Sequence, residues 1–140
     1  MSNFKYPYTK TGRGYIFALI PVLLKNKDIK LQYIAQIDSG ATFCVFHSDI
    51  AIALGINLKD IKEQVVFKGV GSSEKEFGGK LYIVSLMIMQ RGESFKFDCP
   101  VVFSDNINKD CYPLLGIGGF FENFTKIIFD NENKRVVLES

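Results

Sequence analysis

Short runs of β-branched and aromatic residues, broken about every ten positions by clusters of turn formers, run through this chain and predict strands throughout. Tyr15 to Leu24 and Lys30 to Ile37, separated by the polar stretch Lys25 to Asp28, read as a hairpin whose second arm runs into Asp38-Ser39-Gly40-Ala41. Extended structure resumes at Thr42 to Phe46. Ser48 can cap a short helix over Asp49 to Leu54, with Asp49 in the first turn and Gly55 just past the end. Gln64 to Lys68 reads as a strand, and Gly69 to Glu74 as a reversal. Lys80 to Gln90 and Phe95 to Phe103 read as a second hairpin around Arg91-Gly92-Glu93. Pro100 inside that last arm places it at a strand start, bulge or edge, because proline cannot donate to a central ladder. Gly118 to Phe124 suggests a second helix, followed by strands at Lys126 to Asp130 and Arg135 to Leu138 around Asn131-Glu132-Asn133.

This pattern predicts an all-β barrel or sandwich with one or two short helices. The chain of 140 residues fits one domain, here residues 15–140 preceded by an extension over 1–14. Folding a chain of this size removes about two-thirds of its unfolded surface from water, enough for a core without staples. A net charge of +2 creates no field that argues for nucleic acid or anionic lipid, and the 13 Phe and 6 Tyr without a basic stripe read as core rather than as a base-stacking surface. The apolar stretch Tyr15 to Ile20 is cut by Pro21 and falls far short of the roughly 20 residues that span a bilayer. The expectation is a soluble, cytoplasmic protein without membrane or nucleic-acid partners.

Cys44, Cys99 and Cys111 form no CxxC pair, and the single His47 leaves no zinc spacing, so reduced, buried thiols and no metal are expected. Cys44 and His47 share a strand context that rarely aims both side chains at one substrate, which disfavours a cysteine–histidine enzyme. Gly116-Ile117-Gly118-Gly119 superficially suggests a phosphate loop. The arm after it is too short for the βαβ unit and downstream acid of a dinucleotide site, and packing glycines account for it better.

The chemistry worth pursuing starts at Asp38, a carboxylate at a strand end followed by a tight glycine turn. Taken alone, such an aspartate can simply cap its own backbone. A second element, Leu114-Leu115-Gly116, lies 114 − 38 = 76 positions later. Between the two comes Lys68-Gly69-Val70-Gly71-Ser72, a glycine-bearing reversal.

In order and spacing these elements resemble the retropepsin-like aspartic proteases, over about Leu31 to Leu138. The resemblance implies a closed β-barrel of acid-protease type and assigns Asp38 as the catalytic carboxylate, with Ser39, Gly40 and Ala41 supporting its turn. It also implies that Gly69, Val70, Gly71 and Ser72 form a flap over bound peptide, and that Leu114, Leu115 and Gly116 brace the active-site turn. Hydrolysis by this route needs two carboxylates sharing one proton, one activating water while the other polarises the scissile carbonyl. With one suitable turn per chain, the resemblance implies a homodimer acting on a peptide or protein substrate, without cofactor.

In viral members the termini pair across the two-fold axis. The same role here would fall to Val136, Val137 and Leu138 with Phe4, Tyr6 and Tyr8, unless the longer N-terminal extension folds over the cleft. Ile117-Gly118 stands where many viral members place an arginine and a polar residue. A second reading keeps the fold as a catalytically inactive peptide-binding or dimerisation module.

Overall fold

The computed structural model describes residues 2–68 and 76–140. Its strands are β1 (Asn3–Pro7), β2 (Thr9–Lys10), β3 (Ile16–Phe17), β4 (Leu19–Asn26), β5 (Ile29–Ile37), β6 (Cys44–His47), β7 (Gln64–Lys68), β8 (Glu76–Gln90), β9 (Glu93–Ser104), β10 (Leu114–Leu115), β11 (Lys126–Asp130) and β12 (Arg135–Glu139). One helix, α1 (Ser48–Ala53), follows β6, and single 3-10 turns cover Leu58–Asp60 and Phe121–Asn123. The last of these stands where glycine-rich spacing suggested a second helix.

Strands β4, β5, β10, β6, β9 and β8 are neighbours in that order, and β4 also pairs with β8, so six strands close into a barrel with β7 added outside β8. The prolines sit where this closure needs no donor. Pro21 lies on β4 before its ladder with β8 begins at Leu23, and Pro100 lies on β9 just before the β6 ladder begins at Val101. The long β8–β9 hairpin turns at Arg91 and Gly92, both at positive φ as a tight two-residue hairpin turn requires. Inside, Ile20, Leu24, Phe46, Leu86, Ile88, Val101, Phe103 and Leu115 are fully or almost fully buried. At one end Phe95, Phe97, Phe120 and Phe124 pack ring against ring, with centroids 5.0 to 6.0 Å apart.

The terminal segments form a separate sheet in the order β1-β12-β11. Strand β1 runs antiparallel to β12, from Asn3 opposite Glu139 to Pro7 opposite Arg135. Phe4, Tyr6, Val136, Val137 and Leu138, apolar enough to have suggested burial by a partner, are therefore buried within their own chain. Burial pushes the Tyr6 hydroxyl up to about 12, and it donates to the Met89 carbonyl at the tip of β8.

Helix α1 is capped by His47 rather than Ser48. The His47 Nδ1 accepts from the Asp49 N–H at 3.0 Å, and the Ser48 hydroxyl turns to Asp105. Both residue types can accept a helix N–H, so spacing alone does not choose between them. Gly55, at φ +74°, lies just past the end, as the spacing predicts. Cys44 and Cys99 are buried with their sulfurs 3.7 Å apart, whereas Cys111 is exposed, against the expectation of three buried thiols. Its place in the irregular segment between β9 and β10, beyond any period-2 pattern, explains the difference. No described helix is long and apolar enough to cross a membrane.

Candidate active site

Strand β5 delivers Asp38 at its end, and the two-residue strand β10 fixes it there. β10 lies between β5 and β6, parallel to the first (Leu114 opposite Gln36, Leu115 opposite Ile37) and antiparallel to the second (Leu114 opposite Val45). The turn joining β5 to β6 therefore wraps around the end of β10. Four main-chain hydrogen bonds hold this wrap. The Gln36 and Asp38 N–H groups donate to the Pro113 and Leu115 carbonyls at 2.8 and 3.0 Å. The Ile117 and Gly118 N–H groups donate to the Ala41 and Thr42 carbonyls at 2.9 and 2.8 Å. The Ile37 N–H donates to the Ala18 carbonyl at 2.9 Å, which tethers the same strand end from the other side.

Within the turn the Asp38 Oδ1 accepts from the Gly40 N–H at 2.9 Å, and the Ala41 N–H donates to the Asp38 carbonyl at 3.2 Å. Asp38 is partly exposed, and Ser39 and Gly40 are exposed. Gly116 is buried where a Cβ would collide with the carbonyl oxygens of Phe43 and of Ala41, the latter at 2.6 Å, so only glycine lets the wrap close. Asp38, Ser39, Gly40 and Ala41 are thus brought against Leu114, Leu115 and Gly116. Gly69, Val70, Gly71 and Ser72 lie outside the described residues; the strands leading to them pair as far as Lys68 opposite Glu76.

Two recesses lie along β5, neither of them lined by a residue of the turn itself. One, of about 360 Å³, is lined by Phe17, Ala18, Gln36, Ile37 and Phe129 among others. The second, of about 390 Å³, lies behind the segment 107–113 and takes Tyr33, His47, Ile50, Tyr112 and Pro113 into its wall. The braces from Ala18 and Pro113 are carbonyl oxygens. Residue type carries no signal for them, and only the pairing of β10 beside β5 reveals them. Among the described residues no group of His, Cys, Asp or Glu side chains is arranged to hold a metal ion.

The arrangement offers one carboxylate, held by main-chain bonds and accessible at its outer side. One carboxylate cannot both activate water and donate to a carbonyl, so the chemistry open to it depends on a second acid from elsewhere.

No protein-family model and no curated protein matches the sequence. Among solved structures the chain is similar to a retropepsin-like aspartic protease from Rickettsia conorii, with a TM-score of 0.61 at 17% identity, over 98% of this chain and 90% of that one. The chain has a retropepsin-like fold.

Proposed function

We propose that this protein is an aspartic endopeptidase that works as a homodimer, with Asp38 of each subunit meeting at the two-fold axis to activate water. The observation that carries the reading is the wrap of the Asp38 turn around β10. Its main-chain bonds and its glycine-only contact at Gly116 hold a single accessible carboxylate at a fixed strand end. A turn that merely reversed the chain would need no such bracing. The similarity to a solved retropepsin-like aspartic protease supports the same reading.

In the mechanism the two carboxylates share one proton, because like charges about 3 Å apart cannot both ionise cheaply. The ionised member takes a proton from water as that water attacks the peptide carbonyl, and the protonated member donates to the carbonyl oxygen. Ser39 and Gly40 hold the carboxylates in place. Substrate lies extended across the dimer, its side chains entering the recesses lined by Phe17 and Ile37 and by Tyr112 and Pro113. The reversal at Gly69, Val70, Gly71 and Ser72 is proposed, on its sequence, as the flap.

The test is cleavage of a mixed peptide library across acid to neutral pH, read by mass spectrometry beside Asp38→Asn and a transition-state inhibitor of aspartic proteases. Asp38→Asn is expected to keep the thermal transition and to lower cleavage by about a thousandfold or more. A confirmed dimer that binds peptides but cuts none would replace the protease by the peptide-binding module.

A further inference from the structure

The terminal sheet β1-β12-β11 has two outer edges, and the chain treats them differently. On β1 the edge is closed. Pro7 has no N–H to offer, and the Gln90 side chain takes both main-chain groups of Lys5, accepting from its N–H at 2.8 Å and donating to its carbonyl. On β11 no described strand lies against the outer edge, and Ile128 and Phe129 there are each 40% exposed. An open, apolar strand edge is a template for another strand.

We infer that β11 is a self-pairing seam, along which a second copy of this chain adds antiparallel with Ile128 on the two-fold axis. The inference deepens the proposed function, resting on it only for the need to bring two Asp38 residues together. What selects a second copy is the strand's own sequence, Lys126-Ile127-Ile128-Phe129-Asp130. Turned end for end about Ile128, it sets Lys126 opposite Asp130 of the other copy and Ile127 opposite Phe129.

The pairing within the chain extends this match, since Lys126 stands opposite Glu139 and Asp130 opposite Arg135 on β12. Across the seam one row therefore alternates in sign, from Glu139 through Lys126 to Asp130 and Arg135 of the second copy, as cross-strand charge pairs require. A slip by two residues would oppose Ile128 to Lys126 in one direction and to Asp130 in the other, so that Lys126 and Asp130 no longer pair.

The seam also fits the site. Phe129 shares the recess with Gln36 and Ile37, the two residues leading into Asp38, so joining two β11 strands sets the two Asp38 strand ends on either side of one axis. Interleaved termini of the viral kind have no place to form, because β12 already has β1 on one side and β11 on the other.

The test uses the full chain with Cys111→Ser, which removes the exposed thiol, carrying either Ile128→Cys or, as a control on the closed edge, Lys5→Cys. A short bismaleimide is expected to convert Ile128→Cys to a species of doubled mass and to leave Lys5→Cys unlinked. In parallel, Ile128→Lys places two like charges on the axis and is expected to weaken self-association by about tenfold or more in sedimentation. A thermal melt checks that this variant folds, and if it does not, the cysteine pair still decides.

A dimer that links through Lys5 and not Ile128, wild-type self-association in Ile128→Lys, or a wild-type chain that stays monomeric would overturn the seam. Peptide cleavage measured on the same samples separates the two proposals. A linked but inactive dimer retires the protease and keeps the seam, whereas an active dimer indifferent to Ile128→Lys retires the seam and keeps the protease.

Discussion

At Gly116 a methyl group would meet the carbonyl oxygens of Phe43 and Ala41, both belonging to the loop that carries Asp38 into β6. The Ala41 oxygen cannot move without breaking the bond it accepts from the Ile117 N–H, and the neighbouring Thr42 carbonyl is held in turn by the Gly118 N–H. Gly116→Ala is therefore expected to cost about 3 kcal/mol of stability by overpacking, measured by chemical denaturation, and to lower any peptide cleavage along with it. Cys111 gives a milder test. An alkylating reagent should modify only this thiol in the native protein and all three after unfolding, counted by intact mass, because Cys44 and Cys99 are buried. Cys99 is further protected by its hydrogen bond to the Cys44 sulfur and by burial, both of which hold its proton on. Asp38 itself was legible in the sequence, since a carboxylate before a glycine turn at a strand end is a local pattern. The carbonyls of Ala18 and Pro113 that brace it were not, because every residue has one and only the fold aims them.

Among elements, the long arms were the most legible. The run Lys80 to Gln90 is a long, almost continuously apolar stretch that ends at a residue pair suited to a tight hairpin, and β8 and β9 are there. Strand β10, two residues long, has no periodicity to read, and it stood out only through its resemblance to a known brace. Strand β1 shows a different limit. The alternation Phe4, Tyr6 says which face is buried, but not whether the cover is a partner or, as found, β12 of the same chain. The Tyr6 hydroxyl supplies a check on that docking. Its folded value lies above its ordinary value of 10, so its contribution is fully present below pH 10 and is lost as pH rises toward about 12. Tyr6→Phe should flatten this alkaline loss of stability in denaturation curves.

For the whole molecule, the two proposals give the barrel and the terminal sheet separate tasks, the first shaping the candidate site and the second meeting another copy. Under the proposed function, dilution below the dimer dissociation constant should make peptide cleavage per milligram fall with concentration, and Ile128→Lys should move that fall to higher concentration. A rate strictly proportional to protein at every dilution would instead mean that one chain suffices.

The terminal sheet has a further consequence. The Ser140 N–H donates to the Ser2 carbonyl at 3.1 Å, and the Ser2 N–H donates to the Ser140 hydroxyl, also at 3.1 Å. The polypeptide is thus almost a ring. A short bridge between the two ends, with the chain reopened at the exposed Arg91-Gly92 turn, should yield a circular permutant that keeps every strand. Fusions attached at both ends would start from a single corner, side by side.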